Sequence, residues 1–374
     1  MTVADIDNDG YVDFFGRKTD QPNFWQFNPA TSQFESQTSP NIISNENDKG
    51  GTMFCDFDND GDLDLFWTSY GNNQIWRNDG GNNWTATGIP AAPIATQSDI
   101  DGCDCGDVDN DGDMDILLGA SSGNSYLLEN TSTGGALSFT PTNIATNVDT
   151  ESSTFADFDN DGDLDAYFIV DGAANQLWEN TTNDNNFLYV NAMFDNDNAS
   201  TRDAIGANVF LTTCNGTTSG MRQVNGAKGH GSQHQKKIHF GVDPNATYFV
   251  EVHYVYENGT RSIVKKSVIP SQETNQEITI LDTDSVDDSL CDPCNSASPL
   301  FTDNDTDGVG DVCDLDNDND GILDSNECRD TSSLSLNSVP TPDPGNTGNA
   351  ELGIMVQVER PPRRLEIFTP IQTL

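Results

Sequence analysis

Four segments of this sequence repeat with a period of about 50 residues. They read VADIDNDGYVDFF from Val3, FCDFDNDGDLDLF from Phe54, CGDVDNDGDMDIL from Cys105 and FADFDNDGDLDAY from Phe155. The first acids of successive segments are 51, 51 and 50 residues apart. A second marker recurs in phase with the first, as NFWQFN, NQIWRN, NSYLLEN and NQLWEN, ending at Asn28, Asn78, Asn130 and Asn180. Two markers that share one period predict a repeat architecture.

Each repeat is composed of short β segments. A small apolar run precedes the acidic loop, a β-rich run such as Leu65-Phe66-Trp67 follows it, and Gly-, Asn- and Ser-rich turns lead to the aromatic marker. A β unit of about 50 residues has the size of a propeller blade, so the sequence predicts an all-β fold with a partial β-propeller over residues 1–182. A stacked β-solenoid is the alternative. Trp25, Trp76 and Trp178 are expected in the core between blades.

Each acidic loop has the pattern D-x-D-x-D-G-x-x-D. Acids at positions one, three, five and nine can converge if the chain coils tightly, and the glycine at position six tolerates the positive φ that this bend needs. Clustered carboxylates repel one another without a cation, and oxygen ligands without His or Cys favour calcium (Ca2+) over zinc, copper or magnesium. The alternative for a single loop is an ordinary Asp/Asn/Gly turn. Position twelve lacks the Glu of an EF-hand. The predicted ligands are Asp5, Asp7, Asp9, Asp13, Asp56, Asp58, Asp60, Asp64, Asp107, Asp109, Asp111, Asp115, Asp157, Asp159, Asp161 and Asp165.

These loops on a β repeat of this length resemble the FG-GAP/VCBS repeats of integrin-type β-propellers. In that family the loops bind calcium and seven blades usually close the ring. The resemblance implies the same ligand positions here, and it implies that four visible blades do not form the usual ring by themselves. Met1 falls inside the first repeat with no signal peptide before it, so we expect a fragment of a longer chain.

Residues 183–282 resemble the ASPIC/UnbV domain, which follows such propellers in bacterial surface proteins and in cartilage acidic protein. The resemblance lies in the run 202–207 (RDAIGA), the Gly-rich stretch that ends at Ser232-Gln233, and the HFG triplet from His239. It implies a small β domain, and alternation around Asn258-Gly259 independently predicts β-hairpins. The histidines lack supporting acids or a nucleophile motif, so we expect turn and packing roles for His230, His234, His239 and His253.

Residues 283–328 hold two tandem acidic loops among four cysteines, Cys291, Cys294, Cys313 and Cys328. This cysteine density predicts disulfides and an oxidising compartment, and a zinc site is the alternative. The stretch resembles thrombospondin type 3 repeats, in which calcium and disulfides together order a chain with almost no apolar core. The predicted ligands are Asp303, Asp305, Asp307, Asp311, Asp314, Asp316, Asp318, Asp320, Asp324 and Glu327. Residues 329–350 are predicted to be a disordered linker, and residues 351–374 stay unassigned, with the start of a further domain as the best interpretation.

The composition limits the functions that this chain can have. A formal net charge of −45 argues against nucleic acid and anionic membranes as partners, and no apolar run is long enough to span a bilayer. We therefore expect an extracellular, secreted or cell-surface calcium-binding protein for adhesion or scaffolding, without enzymatic activity, whose partner is a protein or a polysaccharide. One alternative is a secreted propeller hydrolase or lyase acting on polysaccharides, for which Asp99, Asp101 and Asp104 are acids outside the motif. Another is a ligand-recognition subunit of a larger secreted complex.

Overall fold

The structure, a computed structural model, describes residues 2–18, 21–37, 42, 51–68, 73–87, 100–146, 149–182, 184–196, 200–226, 235–256, 260–292, 296, 298, 300, 302 and 368–373. These residues contain 24 β-strands and two short 3-10 turns, Pro270–Gln272 and Thr274–Gln276, and the predicted all-β class is confirmed. Within the described residues, the structure has no helix with the length and apolar character needed to cross a bilayer.

The first 182 residues form four antiparallel sheets, one for each repeat. Three of the sheets are meanders of four consecutive strands, and the fourth takes its outer strand from the end of the chain. The strands of the four blades, in order, are β1 (Thr2–Ala4), β2 (Asp13–Lys18), β3 (Gln21–Asn28) and β4 (Gln33–Gln37); β5 (Thr52–Cys55), β6 (Asp64–Trp67), β7 (Gln74–Asn78) and β8 (Trp84–Thr87); β9 (Ile100–Gly106), β10 (Asp115–Ala120), β11 (Asn124–Asn130) and β12 (Phe139–Thr146); and β13 (Thr150–Ala156), β14 (Asp165–Val170), β15 (Gln176–Asn180) and β24 (Phe368–Thr373).

The two sequence markers define three of the four strands in each blade. The apolar run before the loop forms the first strand, and the ninth loop residue begins the second strand in every blade. The aromatic marker forms the third strand, which pairs with the second. The β-rich runs are therefore buried in the middle of each sheet, where branched and aromatic side chains pack well.

Aromatic side chains fill the space between neighbouring blades. Phe24 of the first blade stacks on Trp84 of the second, with ring centroids 5.2 Å apart, and Phe15 meets Trp67 edge to face at 6.0 Å. Each such ring stabilises the fold by about 1.5–3 kcal/mol through burial. Of the tryptophans predicted in this core, Trp76 is buried, whereas Trp25 and Trp178 are half-buried at its margin.

The inner strands of the second, third and fourth blades approach one another closely. A disulfide joins Cys55 on β5 to Cys105 on β9. A Cβ added to Gly102 on β9 would lie 2.4 Å from the backbone nitrogen of Ser153 on β13. Only a glycine fits this contact, because real Cβ atoms do not come within 3.0 Å of backbone.

Residues 187–281 form a second domain of two sheets. One contains β16 (Phe187–Asn196), β17 (Ser200–Asp203), β20 (Ile238–Gly241) and β23 (Glu277–Leu281), and the other contains β18 (Asn208–Thr213), β19 (Thr218–Gln223), β21 (Tyr248–Val255) and β22 (Arg261–Val268). Strict alternation along β21 points every second side chain into a shared core that includes Val250, Val252 and Tyr254. A disulfide between Cys214 and Cys291 ties the β18–β19 turn to the end of the domain.

The chain divides into two compact units, residues 1–291 with 366–374, and residues 292–365. Asp292, Ser296, Ser298, Leu300 and Thr302 are the described residues of the second unit. The predicted type 3 repeats lie outside the described residues from residue 303 onward, and the whole predicted linker does as well. The pairing of Cys291 with Cys214 shows that at least one cysteine of the predicted cluster bonds to the second domain.

Candidate metal centres

The four acidic loops, numbered 1 to 4 for residues 5–13, 56–64, 107–115 and 157–165, share one backbone conformation. Position four is an asparagine with φ between 55° and 62° in every loop, and position six is a glycine with φ between 86° and 99°. Asparagine is among the few residues besides glycine that tolerate this left-handed region. The pattern D-x-D-N-D-G therefore encodes two left-handed residues, which turn the chain tightly enough to bring the acids together.

Three carboxylates converge in each loop. The acids at positions one, three and nine place one oxygen each within 4.8 Å of one another. The first and ninth acids are buried in loops 1, 2 and 3, and the ninth is buried in loop 4. The twelve residues brought together in this way are Asp5, Asp7 and Asp13; Asp56, Asp58 and Asp64; Asp107, Asp109 and Asp115; and Asp157, Asp159 and Asp165.

The acid at position five bonds to the backbone of its own loop. Its Oδ1 accepts a hydrogen bond from the backbone N–H of position seven at 2.8–3.0 Å in all four loops, so it caps the turn. It is not part of the group of three carboxylates in any loop. The residues concerned, each predicted from the sequence as a ligand, are Asp9, Asp60, Asp111 and Asp161.

The ninth acid joins the two sequence markers. In loop 3, Oδ2 of Asp115 accepts the N–H of Val108 at 2.8 Å, and Oδ1 accepts the N–H of Asn130 at 2.7 Å. The other three loops repeat this arrangement, in which one oxygen holds the loop and the other holds the third strand. The same carboxylate thus fixes the loop to its blade.

Burial makes these carboxylates costly to ionise without a counter-ion. Desolvation, with smaller contributions from the neighbouring acids, raises the pKa of Asp5, Asp13 and Asp165 to about 7 from an ordinary value of 3.8. Burial likewise raises the pKa of Asp58 to about 6. Oδ1 of Asp5 and Oδ1 of Asp58 are buried and have no hydrogen-bond partner among the described residues. A group of buried carboxylate oxygens, which can accept but not donate hydrogen bonds, fits a hard divalent cation.

The position-four asparagines link each loop to the next. Nδ2 of Asn8 donates to the Gly61 carbonyl and to the Asp62 carboxylate of loop 2, at 3.0 and 2.6 Å. Asn59 makes the equivalent bonds to loop 3, and Asn110 donates to Asp163 of loop 4. These asparagines were not among the predicted functional residues, although an asparagine stands at position four of all four repeats.

The asparagine that ends the second marker also crosses between blades. Asn78, Asn130 and Asn180 each donate through Nδ2 to the position-two carbonyl of the preceding loop and to a carbonyl of their own loop. In the first blade Asn28 donates instead to the exposed Glu35.

Two other candidate residues, Asp104 and His239, are buried and hydrogen-bonded. Asp104, considered above as a catalytic acid, is buried and accepts hydrogen bonds from the N–H of Phe155 and the hydroxyl of Thr154, both at 2.9 Å, which ties blade three to blade four. His239 is buried, with Nε2 3.0 Å from the Gly162 carbonyl. Asp99, His230 and His234 lie outside the described residues, as do all ten predicted ligands between residues 303 and 327. An exposed acidic cluster outside the four acidic loops comprises Asp149, Glu151 and Asp171.

Comparisons with known proteins identify two families in this chain. Residues 5–67, 56–118 and 107–168 match the family model of the FG-GAP-like repeat, and residues 197–286 match that of ASPIC and UnbV. The chain therefore contains FG-GAP-like repeats followed by an ASPIC/UnbV domain, as the sequence predicted. A search of curated proteins finds no match. Among solved structures, a chain of the crystal structure of BBS1N in complex with ARL6DN, soaked with lead, matches at 12% identity, with 73% of this chain and 92% of that chain covered. The TM-score of 0.30 is too low to establish a shared fold.

Proposed function

We propose that this chain is an extracellular calcium-binding protein with a scaffolding or adhesive role. The observation that carries the proposal is the convergence of three carboxylates in each of four loops, most of them buried. Oxygen-only ligands in flexible loops suit Ca2+, and Mg2+ gives up its water less readily. A bound cation would neutralise carboxylates that burial otherwise holds close to protonation.

Two disulfides and the FG-GAP-like repeats fit an extracellular setting, where calcium is abundant and thiols oxidise. Extracellular modules need a Kd of only about 10⁻⁴–10⁻³ M. In the proposal, calcium makes the loops rigid and supports blade surfaces that bind an extracellular protein or polysaccharide. The proposed protein has no catalytic role. Asp104, the candidate catalytic acid that the structure describes as buried, bonds to the backbone N–H of Phe155, which supports a structural role for it.

Calorimetric titration of the EDTA-stripped chain with calcium and with magnesium tests the proposal. We expect saturable calcium binding at several sites and a much weaker response to magnesium. Asp58→Asn should remove one site, because Asp58 belongs to the group of three in loop 2. Asp62→Asn is the matched control, since it removes the same charge from the same loop but lies outside that group. No binding at millimolar calcium, or equal loss in both variants, would refute the assignment.

A further inference from the structure

The second domain contacts the first aspartate of every acidic loop. Oδ2 of that residue accepts one hydrogen bond from the second domain in each of the four blades, at 2.8 or 2.9 Å. The donors come from four different strands, β18, β19, β20 and β16, for loops 1 to 4. They are Asn208 Nδ2 to Asp5, the Met221 N–H to Asp56, the Gly241 N–H to Asp107 and the Tyr189 hydroxyl to Asp157.

Each of these oxygens already accepts a hydrogen bond within its loop. The N–H of the position-six glycine donates to the same Oδ2 at 2.8–3.2 Å in all four loops. Two donors on one oxygen fix the orientation of the carboxylate that joins the acids at positions three and nine. Hydrogen bonds of this kind behind a ligand orient it and typically change metal affinity by about 10–100-fold when lost.

The fit between the second domain and the loops is close at several further points. A Cβ added to Gly241 would lie 2.2 Å from Oδ2 of Asp107 and 2.5 Å from Cα of Asn110. The buried Arg222 donates through Nη2 to the Gly112 carbonyl of loop 3 at 3.2 Å. Its guanidinium places a positive charge beside Asp56 and Asp107, the first acids of loops 2 and 3.

We propose that residues 187–281 act as a cap that positions the first aspartate of each loop, so that cation binding in the blades and docking of the cap strengthen each other. This inference rests on the proposed function. Linkage is reciprocal: a cap that tightens cation binding by some factor is itself held more tightly by the same factor when the cations are bound. The loop face of the blades is accordingly an internal joint between the two domains.

Hydrogen–deuterium exchange of the full EDTA-stripped chain, titrated with calcium alone, tests the proposal. Peptides from each loop report the calcium concentration at half-protection for that loop separately. Tyr189→Phe removes only the hydroxyl that reaches Asp157. We expect it to raise the midpoint of loop 4 about tenfold and to leave that of loop 2 unchanged. Calcium should also slow exchange of the Met221 and Gly241 amides in the unaltered chain.

Two control variants separate positioning from general destabilisation. Tyr254→Phe also removes a buried hydroxyl, but one that donates to the Ile280 carbonyl inside the cap, so all loop midpoints should stay as in the unaltered chain. Gly241→Ala should raise the midpoint of loop 3, whereas Gly226→Ala, whose added Cβ has its nearest neighbour at 4.0 Å, should not.

The outcomes distinguish the two proposals. If no loop of the unaltered chain gains protection with calcium, the proposed function fails. If the loops respond to calcium but Tyr189→Phe leaves loop 4 unchanged, or if Tyr189→Phe and Tyr254→Phe shift every loop alike, the cap inference fails and calcium binding stands.

Discussion

Replacing Asn130 by alanine removes a side chain that ties the second blade to the third. Its Nδ2 donates to the Phe57 carbonyl of loop 2 at 2.9 Å and to the Met114 carbonyl of loop 3 at 3.1 Å, and all three residues are buried. Each of the two carbonyls left unpaired costs about 1–3 kcal/mol, so we expect the free energy of unfolding to fall by about 2–6 kcal/mol. At about 2–4 °C per kcal/mol for a unit of this size, the Tm should fall by about 4–24 °C.

Differential scanning calorimetry at saturating calcium measures this change, and Asn28→Ala is the matched control. Asn28 ends the same marker in the first blade, but its Nδ2 donates to the exposed Glu35 at 2.8 Å and crosses to no other blade. Its loss should lower the Tm by about 2 °C at most, because exposed side-chain bonds contribute little. Equal shifts for the two variants would show that the bonds between blades do not stabilise the repeat array.

Three further predictions follow from particular contacts. In EDTA the Tm should be higher at pH 5 than at pH 8. Asp5, Asp13 and Asp165 have a pKa of about 7 in the folded state and 3.8 in the unfolded state, so the folded state binds more protons between these two pH values. A Tm that rises with pH in EDTA would contradict this. Replacing both Cys55 and Cys105 by serine should lower the free energy of unfolding by about 2–5 kcal/mol, checked by urea unfolding against the oxidised parent chain, and an unchanged free energy would contradict this. Gly102→Ala should destabilise by about 1–3 kcal/mol because its Cβ meets the Ser153 backbone, whereas Gly226→Ala should be within about 0.5 kcal/mol of the parent in the same unfolding assay.

The blades and their loops could be predicted because their signals are local and repeated. The two markers together cover three strands of each blade. The pattern also contains a glycine at position six, where the backbone adopts a positive φ. The sequence suggests all four acids of a loop as ligands, and the structure brings those at positions one, three and nine within 4.8 Å of one another. The additional bond from the N–H of Tyr11 to Asp9 depends on the backbone path, which the pattern of acids does not specify.

The fourth strand of the last blade could not be predicted from a local pattern. Phe368–Thr373 pairs with Gln176–Asn180 across nearly 200 residues of sequence, and the pairing uses backbone groups rather than particular side chains. Among residues 351–374, the described residues form a strand at the edge of a blade. Contact between the cap and the loops escaped prediction for the same reason, since two of the four donors are the backbone amides of Met221 and Gly241.

The two sequence markers share one period because a single carboxylate bonds to both. Oδ2 of the ninth acid holds position two of the loop, and Oδ1 holds the N–H at or next to the asparagine that ends the third strand. An insertion between the markers within a blade would move that N–H away and leave a buried carboxylate oxygen unpaired, at a cost of about 1–3 kcal/mol or more. Insertions after the third strand carry no such penalty, since the chain there leads only to the outer strand. The spacing within the blade is therefore fixed by the same residue that contributes to the candidate metal centre, and loss of that aspartate should disturb the blade even when no cation is present.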